Sequence, residues 1–335
     1  MTTDGPIRVL CIAATGQSGS TLLARMLGEV PGYQAVGEVG RIWDRGLHDH
    51  IKCSCGEVFD SCEFWGEVGE RAFGGWHNVD GAGAARLRAE LQLAGTPIPH
   101  PVALPFLQHP NLMPGFREKV RRYADLMLPV YRAMHEITGG AVLIDSMKVP
   151  AHVYLMTKQM PELDVPELDV KVAHHIRDSR GFAYSNTKWV EKQGSKDRDE
   201  FRGRRPPWHS AVRWLWFNEA FDHLQRIGVP SAVVRYEDLV HDPQPQLRKA
   251  AGLFGEALST DDLAFIHDDG IDFSAGHIAS GSRWRMSSGR IPLREDIEWA
   301  SKLSQRDWRT VTAITRPLLR RYDYRIGGPL HEAPR

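Results

Sequence analysis

The stretch Val9–Leu27 constrains the fold more than any other part of the chain. An apolar run ends in Ala14-Thr-Gly-Gln-Ser-Gly-Ser-Thr21 and passes at once into the helical pattern LLARMLGE. Strand, glycine-bearing loop and helix in that order form a phosphate-type loop. Gly16 and Gly19 permit tight turns, and the unpaired N–H groups of the helix start, with the positive end of its dipole, can wrap an anionic oxygen. Ser18, Ser20 and Thr21 add hydroxyl donors. Taken alone, the segment also fits a plain βα turn capped by serine or threonine. It nearly satisfies the nucleoside-triphosphate loop pattern, but Ser20 stands where the lysine of that pattern belongs. This points away from ATP and toward an anion carrying less charge.

The remaining chain supplies a setting for such a loop. Apolar, β-branched runs at Arg8–Ala14, Tyr33–Val39, Ala141–Asp145, Val170–Ile176 and Ser231–Arg235 are separated by helical patterns. That alternation predicts an α/β protein with a parallel central sheet flanked by helices. Helices are expected near Ala84–Leu93, over Arg117–Ile137 and over His209–Ile227. In the second, Val120, Leu126, Met127, Val130, Tyr131 and Met134 share one face, and Pro129 should kink or interrupt it. In the third, Trp214, Trp216, Phe217 and Phe221 are set to pack inward. We expect a single domain over 1–335, with a Cys-rich and Pro-rich insertion at about 44–116 and a lid at about 188–208. Lys plus Arg and Asp plus Glu both total 42, so no nucleic-acid partner is implied and any anion site must be local. No segment has the apolar length of a membrane span, the N-terminus lacks a leader pattern, and four cysteines do not make a disulfide scaffold, so a reducing cytoplasm is expected. Oligomeric state is not legible.

Gln17-Ser-Gly-Ser-Thr21 resembles the 5'-phosphosulfate loop of the sulfotransferases that use 3'-phosphoadenosine-5'-phosphosulfate (PAPS). The resemblance sharpens at Val172-Ala-His-His-Ile-Arg-Asp-Ser-Arg-Gly-Phe-Ala-Tyr-Ser185, where a strand ends in Arg177 and Ser185 follows eight residues later. In that family these two positions hold the 3'-phosphate, and a guanidinium fork with a hydroxyl suits the task. Val234-Arg-Tyr-Glu-Asp-Leu-Val-His-Asp-Pro243 is similar to the segment whose tyrosine, here Tyr236, lies against the adenine. Gly276-His-Ile-Ala-Ser-Gly-Ser-Arg-Trp-Arg285 looks like the late basic loop over the 3'-phosphate, with Arg283 and Arg285 as candidates and Ser282 a departure from the family's usual asparagine. The fold implied is the P-loop NTPase-like sulfotransferase fold, closest in motif style to the tyrosylprotein-type branch. The two anion pockets are then expected at one sheet edge, an adenosine's length apart.

Sulfuryl transfer needs an in-line acceptor, a base and charge stabilisation at the departing oxygen, and it requires no metal. Glu38, in Ala35-Val-Gly-Glu-Val39, matches the family's Gly-Glu base. Lys148, in Ile144-Asp-Ser-Met-Lys-Val-Pro150, falls where the family places a second catalytic cluster, although Asp145 and Ser146 also read as a plain helix-entry signal. Gln17 replaces the loop's usual cation, which shifts charge neutralisation to Lys148 or an arginine. The implied donor is PAPS and the implied product adenosine 3',5'-bisphosphate. The acceptor would be a hydroxyl, or less readily an amine, of a small molecule, natural product or glycan, with Trp43, Phe106, Trp189 and Trp208 as stacking candidates. Two other classes stay open: a small-molecule kinase with a degraded loop, and a non-catalytic nucleotide-binding module. His48, His50, Cys53, Cys55 and Cys62 invite a zinc reading, because soft sulfur and imidazole ligands suit that metal. The C-x-C spacing is tighter than a zinc-ribbon knuckle, and free thiols or a disulfide among Cys53, Cys55 and Cys62 stay open.

Overall fold

The computed structural model of the chain describes residues 5–92, 108–109, 112–163, 167–188, 190–191, 201–202 and 205–327. The proline-rich stretch with Phe106, and most of the expected lid with Trp189, lie outside them. Strand β1 (Ile7–Ala14) feeds helix α1 (Ser20–Gly28) and then β2 (Tyr33–Gly37). Helices α2 (Glu63–Phe73), α3 (Gly81–Leu91) and α4 (Phe116–Ile137) precede β3 (Val142–Asp145). A short α5 (Pro150–Tyr154) leads to β4 (Leu168–Ile176) and α6 (Ser179–Ser185). A two-residue ladder, β5 (Val190–Glu191) with β6 (Phe201–Arg202), precedes α7 (Pro207–Arg226) and β7 (Ser231–Arg235).

The central sheet has the order β2-β3-β1-β4-β7, and every pair in it is parallel. All five expected strands are present, and their near-continuous apolar character follows from burial on both faces. Ile7, Val9, Cys11 and Ala13 of β1 face a core built from α2 to α5 and α7, whereas Leu10, Ile12 and Ala14 face a second core built on α1. The sheet is thus the middle layer of three. Helix α4 runs through Pro129 without a break, and Val120, Met127, Val130, Tyr131 and Met134 are buried, as the periodicity predicts. Strand β2 ends two residues earlier than expected, because Gly37 takes φ 87° and turns Glu38 out of the ladder. No helix among the described residues is long and apolar enough to cross a membrane.

The strand order fixes where a ligand can bind. After β1 the chain turns toward β2, and after β4 it turns toward β7, so the carboxyl ends of β1 and β4 form the topological switch point of the sheet. In open parallel sheets that crevice is the binding site. One titratable group closes the floor beside it. Glu237, in α8 (Tyr236–His241), accepts from the Asp178 amide at 2.9 Å and the Tyr324 hydroxyl at 2.7 Å, tying the end of β4 to the end of β7. Burial first, then the neighbouring Asp178 charge, pushes the Glu237 carboxyl up to about 7. A carboxyl raised on folding adds stability that is complete below its unfolded pKa and lost as pH rises through the folded one. Melting temperatures measured from pH 5 to pH 8 should therefore decline more steeply in the wild type than in Glu237→Gln, and parallel curves would contradict the assignment.

Candidate active site

The loop after β1 is held from below by its own backbone and from the side by β4. Gln17 has φ 71° and Gly19 φ 87°, two left-handed residues in three, which wind the chain tightly into α1. Ser18 is fully buried and its hydroxyl donates to the Thr15 carbonyl, so it braces the loop. Gly19 is required by space as well as by φ: a Cβ there would lie 2.5 Å from the Tyr236 ring and 3.4 Å from Nε2 of His175. Burial is the main cause that lowers the His175 imidazole to about 4, so the ring stays neutral beside the loop at ordinary pH.

Arg177 joins this loop to β4. Its Nη1 donates to the Gln17 carbonyl at 3.1 Å and to the Ser185 hydroxyl at 3.4 Å, and the guanidinium carbon lies 4.7 Å from the centre of the Tyr236 ring. Gln17, Arg177, Ser185 and Tyr236 therefore meet at one sheet edge. They are nearer than an adenosine's length, because β1 and β4 are adjacent and in register through Ala14 and His175, and neighbouring strands run only about 4.8 Å apart. The Gln17 side chain is exposed, and only its backbone serves Arg177. On its other side, Nη2 of Arg177 holds Asp296, 3.0 Å from Oδ2 and 3.1 Å from the backbone carbonyl. Arg177 is 6% exposed, and the Asp296 carboxylate is paired with its guanidinium. Nothing in the sequence pattern marks Asp296.

Glu38 and Lys148 form a second constellation at the ends of β2 and β3. Lys148 Nζ lies 2.5 Å from Glu38 Oε1, while Arg41 Nε is 3.9 Å and the Ser280 hydroxyl 3.4 Å from Oε2. Burial pushes the Glu38 carboxyl up, but the Lys148 charge and hydrogen bond, with Arg41 behind them, more than offset it and hold it below the usual range. The segment 278–282 joins both constellations. Ala279 and Glu38 extend hydrogen bonds across the open edge of β2, at 3.2 Å between Ala279 N and Val36 O and 3.4 Å between Glu38 N and Ser280 O. A Cβ on Gly37 would strike Ser280 O at 2.7 Å, and the Ser282 amide reaches the Thr21 hydroxyl at 3.4 Å. Arg285 is buried and donates to the Lys52 carbonyl at 2.9 Å and to those of Gly281 and Ser282, so its fork is spent on this segment rather than directed to Arg177. Arg283 opens the turn Arg283–Met286, and its side chain lies outside the described residues.

Asp145 is the residue that sequence reasoning undervalued. It does not cap α5. It is fully buried and accepts from the Tyr131 hydroxyl at 2.7 Å, His152 Nε2 at 2.8 Å, the Met147 amide at 2.9 Å and the Val39 amide at 3.3 Å. Burial raises its pKa, but His152 and these donors outweigh burial and keep it ionised. One carboxylate thus fixes both the turn that carries Glu38 and the turn that carries Lys148. An acidic residue closing a wholly apolar strand was the available signal. Removing it in Asp145→Ala leaves a buried hydroxyl and imidazole unpaired, so urea denaturation should show a loss of about 3–5 kcal/mol. A change under about 1 kcal/mol would mean that the network carries no weight.

No family model matches this chain, and no curated protein matches it. Among solved structures it is similar to the sulfotransferase domain from the curacin biosynthetic pathway, at 15% identity over 98% of this chain and 100% of that one, with a TM-score of 0.49. It is also similar to the sulfotransferase domain from the Synechococcus PCC 7002 olefin synthase, at 19% identity over 96% of each chain and a TM-score of 0.49. A third likeness is to sulfotransferase STF1 from Mycobacterium tuberculosis H37Rv, at 14% identity over 76% of this chain and 69% of that one, with a TM-score of 0.41. At these scores the fold rests on strand order and register, and the chemistry rests on the side chains themselves.

Proposed function

We propose that the chain is a sulfotransferase that moves the sulfuryl group of PAPS to an acceptor hydroxyl. The observation that supports this most is the meeting, at the sheet's switch point, of a helix-start anion loop with an arginine that already holds a carboxylate. In this reading the 3'-phosphate takes the place of Asp296 on Arg177 and Ser185, which gives a charge-assisted fork in partly excluded solvent. The 5'-phosphosulfate lies on the first-turn amides of α1 and the Thr21 hydroxyl. Tyr236, largely buried between Gly19 and Arg177, is the ring the adenine would lie against.

In the transfer step a bond forms from the acceptor oxygen to sulfur as the bond from sulfur to the 5'-phosphate oxygen breaks. The acceptor proton goes to Glu38, and adenosine 3',5'-bisphosphate leaves with the electron pair. Glu38 is a weak base while Lys148 is paired to it. Drawing the ammonium toward the phosphosulfate oxygens frees the carboxylate, and burial then raises its basicity while Lys148 stabilises the departing charge. With Gln17 uncharged, this exchange of partners makes Lys148 the principal cation at the leaving group. Trp43 is enclosed among Phe73 and Trp76 and is core. Trp208 is 54% exposed beside Val212, Trp216 and Phe217, and is a stacking candidate open to an apolar acceptor.

Glu38→Gln keeps the shape of the site and removes the base. With labelled PAPS and a panel of hydroxyl acceptors, turnover should fall by about 10²–10⁴ while adenosine 3',5'-bisphosphate binds at least as tightly as to the wild type, Lys148 being no longer held by a carboxylate. A fully active variant would refute the base, and absence of transfer by the wild type across the panel would favour a binding module.

A further inference from the structure

Three cysteines and one histidine converge on a single point outside the anion site. The ligand atoms of Cys53, Cys55, Cys62 and His277 all lie within 4.8 Å of one another, with 3.6 Å between the sulfurs of Cys55 and Cys62 and 3.3 Å between Cys62 Sγ and His277 Nδ1. We propose that these four residues bind one structural zinc ion, which pins the 276–282 segment to the insertion that follows β2.

Sulfur lies about 2.3 Å from tetrahedral zinc, so neighbouring sulfurs around an ion are roughly 3.8 Å apart. The observed spacing is that of an ion's ligands and far exceeds the S–S bond of about 2.05 Å in a disulfide. A disulfide would also use only two of the four groups. Cys53 and Cys62 are fully buried. Gly56, at φ 99°, turns the Cys53–Cys55 segment back so that Cys53 N bonds Glu57 O at 2.8 Å. Phe64 stacks on the His277 ring at 5.3 Å, and Ser54 Oγ is hydrogen bonded to both Gly276 O and Ile278 N, so both strands of the site are fixed in place.

Three thiols lose their protons on binding and His277 supplies the lone pair of Nδ1, so the loaded site carries one net negative charge. The buried Arg285 guanidinium, placed next to Cys53, matches it. His48 and His50, the histidines nearest in sequence, instead face Asp49 and Asp60. The ion is structural: all four positions are filled by protein, and its effect on transfer passes through Ser280 and Ser282, which touch Glu38 and Thr21.

The test uses full-length protein, freed of any affinity tag and purified without chelator. Elemental analysis should find one zinc per chain in the wild type and in Cys11→Ala, and none in Cys62→Ala. As a control against misfolding of Cys62→Ala, cobalt is exchanged into the wild type and into His277→Cys. Intense tetrahedral ligand-field bands with thiolate charge transfer are expected in both, shifted toward a four-sulfur spectrum in the second. Folded wild-type protein with no thiophilic metal and freely titrating thiols would overturn the proposal, as would a Cys55–Cys62 disulfide found by mass spectrometry.

Discussion

The hydrogen bond from Arg177 to the Gln17 carbonyl is the interaction on which the site depends. It exists because β1 and β4 run side by side in unbroken register from Ile7 with Leu168 to Ala14 with His175. A register slip of one residue would send Arg177 to the other face of the sheet and separate it from the anion loop. The left-handed turns at Gln17 and Gly19 then present the loop carbonyl to the guanidinium and the helix-start amides to the crevice. Tyr236 fills the space that the absent Cβ of Gly19 leaves, and Asp296 closes the outer side. Sheet register, loop conformation and the position of the Arg177 guanidinium are one arrangement.

The second half of the site depends on a different device. Lys148 and Glu38 are held in contact by turns that share a buried anchor, Asp145, with Tyr131 and His152 supplying the donors that make an ionised carboxylate tolerable in the core. Both members of the Glu38–Lys148 pair have side chains 15% exposed. In the proposed reaction this pairing would hold the base and the cation mutually neutralised until the anionic donor competes for the lysine. The 278–282 segment is hydrogen bonded to Glu38 on one side and to Thr21 on the other, so it couples the two halves.

Much of this was legible from sequence because it is local. The five strands and the loop at Gln17–Thr21 follow from short-range pattern, and the pairing of Ser185 with Arg177 from the family resemblance of their segment. What the sequence left obscure is contact over long separations. His277 lies 215 residues from Cys62, and its segment was read for its arginines. Asp296 reaches Arg177 from 119 residues away, and no periodicity announces it. Arg285 illustrates the converse: a basic residue in a promising motif is turned inward by the carbonyls of Lys52, Gly281 and Ser282. Asp145 looked like a helix-entry residue because capping signals and buried anchors use the same side chain, and only the third dimension distinguishes them.

The central claim is that Arg177 is an anion receptor now occupied by Asp296. Calorimetric titration of adenosine 3',5'-bisphosphate in magnesium-free buffer, on the wild type, Arg177→Ala and Asp296→Ala, tests it directly. The account predicts metal-independent binding, weakened by about 1.5–3 kcal/mol in Arg177→Ala and strengthened in Asp296→Ala. Equal affinity in all three, or binding seen only with magnesium and ATP, would contradict it.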